Sequence, residues 1–253
     1  MVVGLPASGT AVINGDDTYA SLWRASTAAR VCSFGLRHEA DFCAEELRLE
    51  VGAQGFCTRF RLRSPLGAAA VTLALAGRHN VVNALAAAAA AVSAGASLAQ
   101  VASGLSQMQA VRGRLQFRRT RHGAWLIDDS YNANPSSVRA GLEVLSELPG
   151  RRWLVLGDMA ELGEAAEASH RELGELARSL GVERLYSFGT LAALAADGFG
   201  AGAERYRDAA ELARALDATL SAEVRVLIKG SRVNRLERVV EALLAPDDAR
   251  KAG

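Results

Sequence analysis

Residues 125–157, WLIDDSYNANPSSVRAGLEVLSELPGRRWLVLG, hold the pattern that decides the fold. An apolar run of strand length (125–128) leads into a helical stretch (about 136–147) and then into a second apolar run (153–157). Short, continuous apolar strands that alternate with helices are typical of a parallel sheet covered on both faces. The pattern therefore predicts a doubly wound, Rossmann-like domain. Its further strands are predicted at 184–189 and 224–230, and its further helices near 165–180, 208–220 and 233–245.

The first 110 residues follow a different pattern, in which apolar and polar residues alternate with a period of two. In GFCTRFRLRS (55–64), Phe56, Phe60 and Leu62 can share one face while the arginines between them face water, as in a half-buried strand. We expect an antiparallel, meander-like sheet followed by an alanine-rich helix (about 79–94) and a shorter one (about 98–107). The other strands of this sheet are predicted at 10–14, 29–34, 41–51 and 68–76.

Composition narrows the class of protein. The 253 residues are 50% hydrophobic and 23% charged, which excludes overall disorder, and the net charge of +1 gives no indication of nucleic acid binding. Cys32, Cys43 and Cys57 are odd in number and fit no metal-ligand spacing, which favours a reducing cytosol. No secretory signal is evident, and the alanine-rich stretch 81–98 is too weakly apolar for a membrane span. We expect a cytoplasmic protein.

Polar clusters follow three of the predicted parallel strands: DDSYNANP (128–135), GDMAELG (157–163) and KGSR (229–232). Because open parallel sheets bind ligands beyond the carboxyl ends of their strands, the clusters predict a ligand site. Each cluster alone also fits a structural role, since Asp, Ser and Asn cap helices, Pro135 suits a helix start and glycine suits turns. GxGxxG, the fingerprint of dinucleotide-binding oxidoreductases, does not occur, which disfavours that class.

Six stretches resemble the Mur ligase family and follow one another in the family's order. They are GTAVINGDD (9–17), GRHNVVNALAA (77–87), RGRLQ (112–116), IDDSYNANPSS (127–137), VLGDMAELG (155–163) and IKGSR (228–232), followed by Glu237. DDSYNANP, GDMAELG and KGSR together resemble the members that use D-alanyl-D-alanine. The family places a domain that recognises the uridine nucleotide, and a GKT phosphate loop, ahead of what this sequence shows. The resemblance implies an α/β protein: the trailing part of the ATP-binding central domain over 1–110, a Rossmann-like ligase domain over 111–245 and a tail over 246–253.

The resemblance implies an ADP-forming ligase of peptidoglycan precursor synthesis, and so a role in cell wall biogenesis, cell shape and cell division. ATP would phosphorylate the terminal carboxylate of UDP-N-acetylmuramoyl-tripeptide, and the amine of D-alanyl-D-alanine would attack the acyl phosphate. ATP and Mg²⁺ are the implied cofactors, and the main metal ligands are expected outside this sequence. The implied partners are ATP, the dipeptide and the tripeptide, and a monomer is expected. Without a GKT loop, we expect the chain alone to be inactive.

The resemblance also implies roles for individual residues. Nucleotide-binding roles fall on His79, Asn80, Asn83, Arg114 and Asp129, the last through ribose hydroxyls. Catalytic roles fall on Lys229 and Arg114. Substrate-binding roles, in which cations would hold the dipeptide carboxylate, fall on Asn132, Asn134, Asp158, Lys229, Ser231 and Arg232.

Two other classes of function remain open. A non-catalytic or incomplete ligand-binding fragment is favoured by the missing phosphate loop. A ligase of the folylpolyglutamate synthase type would share the His-Asn stretch but should not carry DDSYNANP and GDMAELG together. His38, His122 and His170 show no partner pattern and are interpreted as surface or core residues.

Overall fold

The computed structural model describes residues 4–37, 39–52 and 55–245. The interpretation of His38 and the predicted tail over 246–253 lie outside these residues. The chain divides into two compact units, with the boundary between Gln109 and Ala110. Among the described helices, none combines the length and the apolar character that a membrane span requires.

The first unit is built on a five-stranded mixed sheet, in which the strands lie in the order β1-β2-β3-β4-β5. Its elements are β1 (Thr10–Asn14), α1 (Ala20–Ala25), β2 (Arg30–Gly35), β3 (Phe42–Gly52), β4 (Gly55–Ser64), β5 (Gly67–Leu73), α2 (Arg78–Ser93) and α3 (Leu98–Ser106). Phe42, Leu62 and Leu73 from the sheet form a buried core with Val81 and Leu85 of α2. This packing explains why the alanine-rich stretch is a core helix of the unit.

The prediction of an antiparallel meander is wrong for the first three strands. β1 pairs with β2 in parallel, and β2 pairs with β3 in parallel through Phe34 and Phe42. Only the pairs β3–β4 and β4–β5 are antiparallel. The connection from β1 to β2 contains α1. This connection brings the chain back to the amino-terminal end of β1, so that β2 can run parallel to it. A period of two describes the two faces of a strand in either kind of sheet, so the alternation did not reveal the direction of pairing.

The second unit is a doubly wound α/β fold. Its elements are β6 (Gln116–Arg119), β7 (Trp125–Asp129), α4 (Pro135–Ser146), β8 (Arg151–Gly157), α5 (Ala166–Ser179), β9 (Arg184–Phe188), α6 (Ala192–Phe199), β10 (Ala203–Tyr206), α7 (Ala209–Asp217), β11 (Val224–Lys229) and α8 (Glu237–Leu243). The strands lie in the order β10-β9-β8-β11-β7-β6, and only β6 pairs antiparallel. Val226 and Ile228 of β11 belong to the core shared with α7 and α8, whereas Leu227 lies against Gly141 of α4. Helices thus cover both faces, and the predicted fold class is confirmed.

Three elements of the second unit were not predicted from the sequence: β6, α6 and β10. The predicted helix at 233–245 also begins later, at Glu237. Arg232–Asn234 instead form a single 3₁₀ turn, and Arg235 takes a left-handed conformation with φ of 52° before α8 begins. The turn matters for the site, because it carries Arg232 and Asn234.

Candidate functional site

The candidate site lies at the carboxyl ends of β7, β8 and β11 in the second unit. β11 lies between the other two strands and runs parallel to both, so Lys229 pairs with Asp129 on one side and with Leu156 on the other. This position brings the three predicted polar clusters, 128–135, 157–163 and 229–232, to one edge of the sheet. In an open parallel sheet this edge is where ligands bind.

Lys229 lies beneath this edge in a buried ion pair. Its Nζ donates to Oδ2 of Asp129 at 2.5 Å and to the carbonyl oxygen of Asn132 at 3.0 Å. Oδ1 of Asp129 accepts the backbone N–H of Leu115 at 3.2 Å. The side chains of Lys229 and Asp129 are 2% and 13% exposed, and buried charges require such partners. Both residues therefore brace the edge, and their roles in catalysis and at the ribose stay predictions.

The two asparagines of the first cluster are both exposed. Asn134 is the N-cap of α4: its Oδ1 accepts the backbone N–H of Ser137 at 2.8 Å, and the Ser137 side chain completes a capping box. Oδ1 of Asn132 accepts the backbone N–H of its neighbour Ala133 at 2.9 Å. The alternative of helix capping thus describes Asn134 correctly, and substrate binding by either residue stays a prediction.

Asp158 holds the turn that follows the neighbouring strand, β9. Its Oδ1 accepts the N–H of Ala192 at 2.7 Å and its Oδ2 accepts the N–H of Thr190 at 3.2 Å, at the start of α6. Gly189 has a φ of +118°, and a Cβ at that position would overlap the Asp158 carboxylate. Asp158 therefore serves as an N-terminal cap for a helix that follows another strand, and its predicted contact with the dipeptide stays a prediction.

Asn234, which was not predicted, fastens the second cluster to the third. Its Nδ2 donates to the carbonyl oxygens of Asp158 at 2.7 Å and Ser231 at 2.8 Å, and its Oδ1 accepts the N–H of Asp158 at 3.1 Å. A Cβ on Gly157 or Gly230 would lie 2.9 Å or 3.1 Å from the Asn234 side chain, so both strand ends need glycine here. The paired glycines at the strand ends were the signal of this close approach.

Ser231 joins all three clusters. Its hydroxyl accepts the N–H of Ala160 at 2.8 Å and donates to the carbonyl oxygen of Ala133 at 3.3 Å. The residue is 3% exposed. Ser231 is therefore part of the framework of the edge, and a direct contact with substrate stays a prediction.

Arg114 and Arg232 are exposed at the same edge, and the ring of Tyr131 lies close to both. The ring centroid is 4.6 Å from the guanidinium carbon of Arg114 and 5.9 Å from that of Arg232. The sequence predicted both arginines as site residues but gave Tyr131 no role. Together they offer two cations on one aromatic surface.

Asp128 is the buried acid of the site. Its residue is 3% exposed, and its Oδ1 accepts the hydroxyl of Ser130 at 2.6 Å and the N–H of Ser130 at 3.1 Å. Burial raises the pKa of the Asp128 carboxyl above its ordinary value, and the hydrogen bonds from Ser130 and the charge of Arg118 oppose the rise only in part. The carboxyl shapes the turn after β7 and is enclosed by protein.

His170, interpreted from the sequence as a surface or core residue, is fully buried and fixes the second cluster. One ring nitrogen, Nε2, accepts the N–H of Met159 at 2.9 Å, and the other, Nδ1, lies 2.6 Å from the carbonyl oxygen of Ala166. The first bond requires an unprotonated Nε2, so Nδ1 carries the hydrogen that Ala166 accepts. His170 thus positions the backbone just after Asp158.

The three predicted residues of the first unit lie in the first turns of α2. Asn80 donates from Nδ2 to the carbonyl oxygen of Ala76 at 2.7 Å. His79 is half-buried and Asn83 is exposed. The structure confirms that these residues begin a helix, and their contact with a nucleotide stays a prediction.

The exposed groups of the edge suit an anionic ligand. Arg114 and Arg232 supply positive charge, and the N-terminus of α4 adds a partial positive charge beside them. In the part of the chain that the structure describes, no three or more His, Cys, Asp or Glu side chains are grouped to hold a metal ion.

Two family models match consecutive parts of the chain. The model of the Mur ligase middle domain matches residues 1–91. The model described as Mur ligase, glutamate ligase domain matches residues 113–232, which include the whole candidate site except Asn234.

Individual relatives agree with these matches. The chain is 40% identical over 244 residues to UDP-N-acetylmuramoyl-tripeptide–D-alanyl-D-alanine ligase of Escherichia coli, covering 95% of this chain and 53% of the relative. It is 39% identical to the ligase of that name from Mycobacterium bovis, covering 96% and 52%. MurF from Acinetobacter baumannii superposes with a TM-score of 0.82 at 33% identity, over 93% of this chain and 51% of that chain. The chain spans about half the length of the curated relatives it matches. By both domain models and by these relatives, the chain belongs to the Mur ligase family.

Proposed function

We propose that this chain takes part in the ATP-dependent ligation of D-alanyl-D-alanine to UDP-N-acetylmuramoyl-tripeptide in the cytoplasm. The observation that carries the proposal is the meeting of DDSYNANP, GDMAELG and KGSR at one sheet edge through the position of β11. The names of the Escherichia coli and Mycobacterium bovis relatives support it. Residues 1–110 would then be the trailing part of the ATP-binding domain, and residues 111–245 the carboxy-terminal ligase domain.

The proposed reaction forms an acyl phosphate on the tripeptide carboxylate, and the dipeptide amine then displaces phosphate to give the amide. Negative charge builds on the phosphoryl and carbonyl oxygens, so positioned cations lower the barrier. Arg114 and Arg232 are exposed and suited to this contact. Lys229 is buried and would act through the Asn132 carbonyl that it holds. The Asp129 carboxylate, which Lys229 and Leu115 hold in place, would accept a hydrogen bond from a ribose hydroxyl.

A titration of the isotope-labelled chain with D-alanyl-D-alanine, followed by NMR, tests the dipeptide part of the proposal. We expect binding in the millimolar range, because exposed cations attract an anion weakly in water. The amide signals of Asn132, Asp158 and Lys229 should shift as the dipeptide is added. If the dipeptide produces no shifts up to its solubility limit, these residues only cap and brace the fold, and the proposal fails.

An assay of ADP release and product formation tests the activity of the chain itself. GxxxxGK[ST], the loop whose backbone and lysine hold the β and γ phosphates, does not occur in the 253 residues. We therefore expect no ligation when the purified chain receives ATP, Mg²⁺, the tripeptide and the dipeptide. Product formation would contradict this expectation and would at the same time support the assignment as a ligase.

A further inference from the structure

Tyr131 is an exposed aromatic residue that contacts two cations at the edge of the second unit's sheet. Its residue is 45% exposed, and its ring centroid lies 4.6 Å from the guanidinium carbon of Arg114 and 5.9 Å from that of Arg232. A guanidinium within about 6 Å of a ring centroid is attracted by the quadrupole of the ring. One ring therefore interacts with two arginines that lie 118 residues apart in the sequence.

The backbone next to the ring is fixed to both arginine segments. On one side the N–H of Tyr131 donates to the carbonyl oxygen of Gly113 at 3.0 Å. Gly113 has a φ of +71°, and a Cβ there would lie 3.1 Å from the Tyr131 nitrogen, so this approach needs glycine. On the other side Nζ of Lys229 holds the carbonyl oxygen of Asn132 at 3.0 Å. The three segments are thus positioned relative to one another by the protein itself.

The two guanidiniums differ from nearby arginines in their ion pairing. In residues 4–37, 39–52 and 55–245, neither Arg114 nor Arg232 makes an ion pair, although arginines close to them in sequence do. Arg112 pairs with Glu241, and Arg235 lies 3.7 Å from Glu237. Two positive charges on one ring, neither in an ion pair with a described residue, suit an anionic ligand.

We propose that Tyr131 is a positioning residue that holds Arg114 and Arg232 for an anionic ligand, which binds through phosphate or carboxylate groups. An arginine side chain has many rotamers in water, and stacking on a rigid ring reduces the entropy that it loses on binding. The planar guanidinium recognises phosphate and carboxylate with the same paired hydrogen bonds. The identity of the anion rests on the proposed function, whereas the arrangement of the ring and the arginines does not.

Arginine side-chain NMR of the whole chain tests the arrangement without any ligand. Ring currents of Tyr131 should displace the Nε–H signals of Arg114 and Arg232 from those of solvent-exposed arginines. Tyr131→Leu should abolish the displacement, and Tyr131→Phe should keep it. Tyr19→Leu, at a 61% exposed tyrosine of the first unit, is the matched control and should change neither signal. Unchanged signals in Tyr131→Leu would overturn the proposal.

Calorimetric titrations with tripolyphosphate and, separately, with D-alanyl-D-alanine test the binding role and distinguish the two sources of anion. For whichever probe binds, Tyr131→Leu should lower the affinity by about tenfold, the combined effect of two exposed cation–π contacts. Tyr131→Phe should lower the affinity by less than about twofold. In a protein that already carries both Arg114→Gln and Arg232→Gln, adding Tyr131→Leu should not change the affinity for the probe any further.

A further loss in that background would mean that the ring contacts the ligand directly, which contradicts a positioning role. If the wild-type chain binds neither probe, the anion site is wrong. If tripolyphosphate binds with the expected dependence on Tyr131 while the dipeptide does not bind, the inference stands and the proposed dipeptide site fails.

Discussion

Replacing Lys229 with methionine is expected to lower the free energy of unfolding of the second unit by about 3–5 kcal/mol, the range for breaking a buried ion pair by removing one partner. Methionine keeps most of the volume of a side chain that is 2% exposed, so packing changes little. The loss arises because the buried Asp129 carboxylate loses the ammonium at 2.5 Å. The carbonyl of Asn132 also loses a donor at 3.0 Å.

Tryptophan fluorescence in urea can follow the second unit separately. The chain has three tryptophans, of which Trp23 lies in the first unit while Trp125 and Trp153 are buried in the second. A background carrying Trp23→Phe therefore restricts the signal to the second unit. We expect the urea midpoint of Lys229→Met to fall with an unchanged slope, since the change acts on stability and not on the surface exposed by unfolding.

The exposed pair of Arg151 and Glu183 provides a matched control. These side chains are 46% and 45% exposed with 2.8 Å between Nε and Oε2, so Arg151→Met should cost less than about 1 kcal/mol. Lys229→Met combined with Asp129→Leu removes both buried charges, so the double variant should lose less stability than the sum of the two single variants. The reasoning would be refuted if Lys229→Met cost less than about 1 kcal/mol, or if the two single changes were additive within about 0.5 kcal/mol.

Two further predictions concern stability. Burial raises the pKa of Asp128 in the folded protein above its ordinary value of 3.8, so the folded state favours the protonated carboxyl. This preference stabilises the wild type at low pH, and the stabilisation is lost as the pH rises through the folded pKa. The free energy of unfolding of Asp128→Asn, relative to wild type, should therefore rise from acid to neutral pH; a fall in urea titrations would contradict this. Gly174→Ala in α5 places a Cβ where it would overlap the carbonyl of Ala195, so this variant should lower the free energy of unfolding by about 1–3 kcal/mol. Gly104→Ala in α3 places a Cβ in open space, so this variant should raise the free energy of unfolding by about 0.5–1 kcal/mol. Equal denaturation midpoints for the two alanine variants would contradict the close packing of α5 on α6.

The main strands of the second unit were predictable because each is a continuous apolar run long enough to span a buried sheet. β7 and β11, for instance, are buried along almost their whole length. β6 and β10 were missed because they are four-residue edge strands with charged residues, QFRR and AERY, which carry little periodic signal. Pairing direction in the first unit was not predictable either, because alternation is the same for parallel and antiparallel strands.

The location of the candidate site was predictable because parallel strands end at a common edge. Whether each side chain of the site is buried or faces solvent was not predictable from the sequence. A lysine at a strand end can lie in solvent, whereas Lys229 is buried and has a partner in Asp129, a hundred residues away. The contacts of Asn234 with Asp158 and of His170 with Met159 likewise join separate segments. The glycines at the two strand ends were a signal for the first contact, and no local pattern indicated the second.

The position of β11 has a consequence for synthesis on the ribosome. β7 and β11 lie side by side although Asp129 and Lys229 are 100 residues apart in the chain. At a synthesis rate of about 5–20 residues per second, β7 leaves the exit tunnel about 5–20 seconds before β11, the strand that separates it from β8. β8 leaves the tunnel after β7 and therefore waits a shorter time for β11. During that interval both strands carry an unpaired parallel edge, the kind of surface that templates wrong pairing. We therefore expect the facing edges of β7 and β8 to be open to wrong pairing until β11 is made, and a chain interrupted before Val224 to keep both edges unpaired.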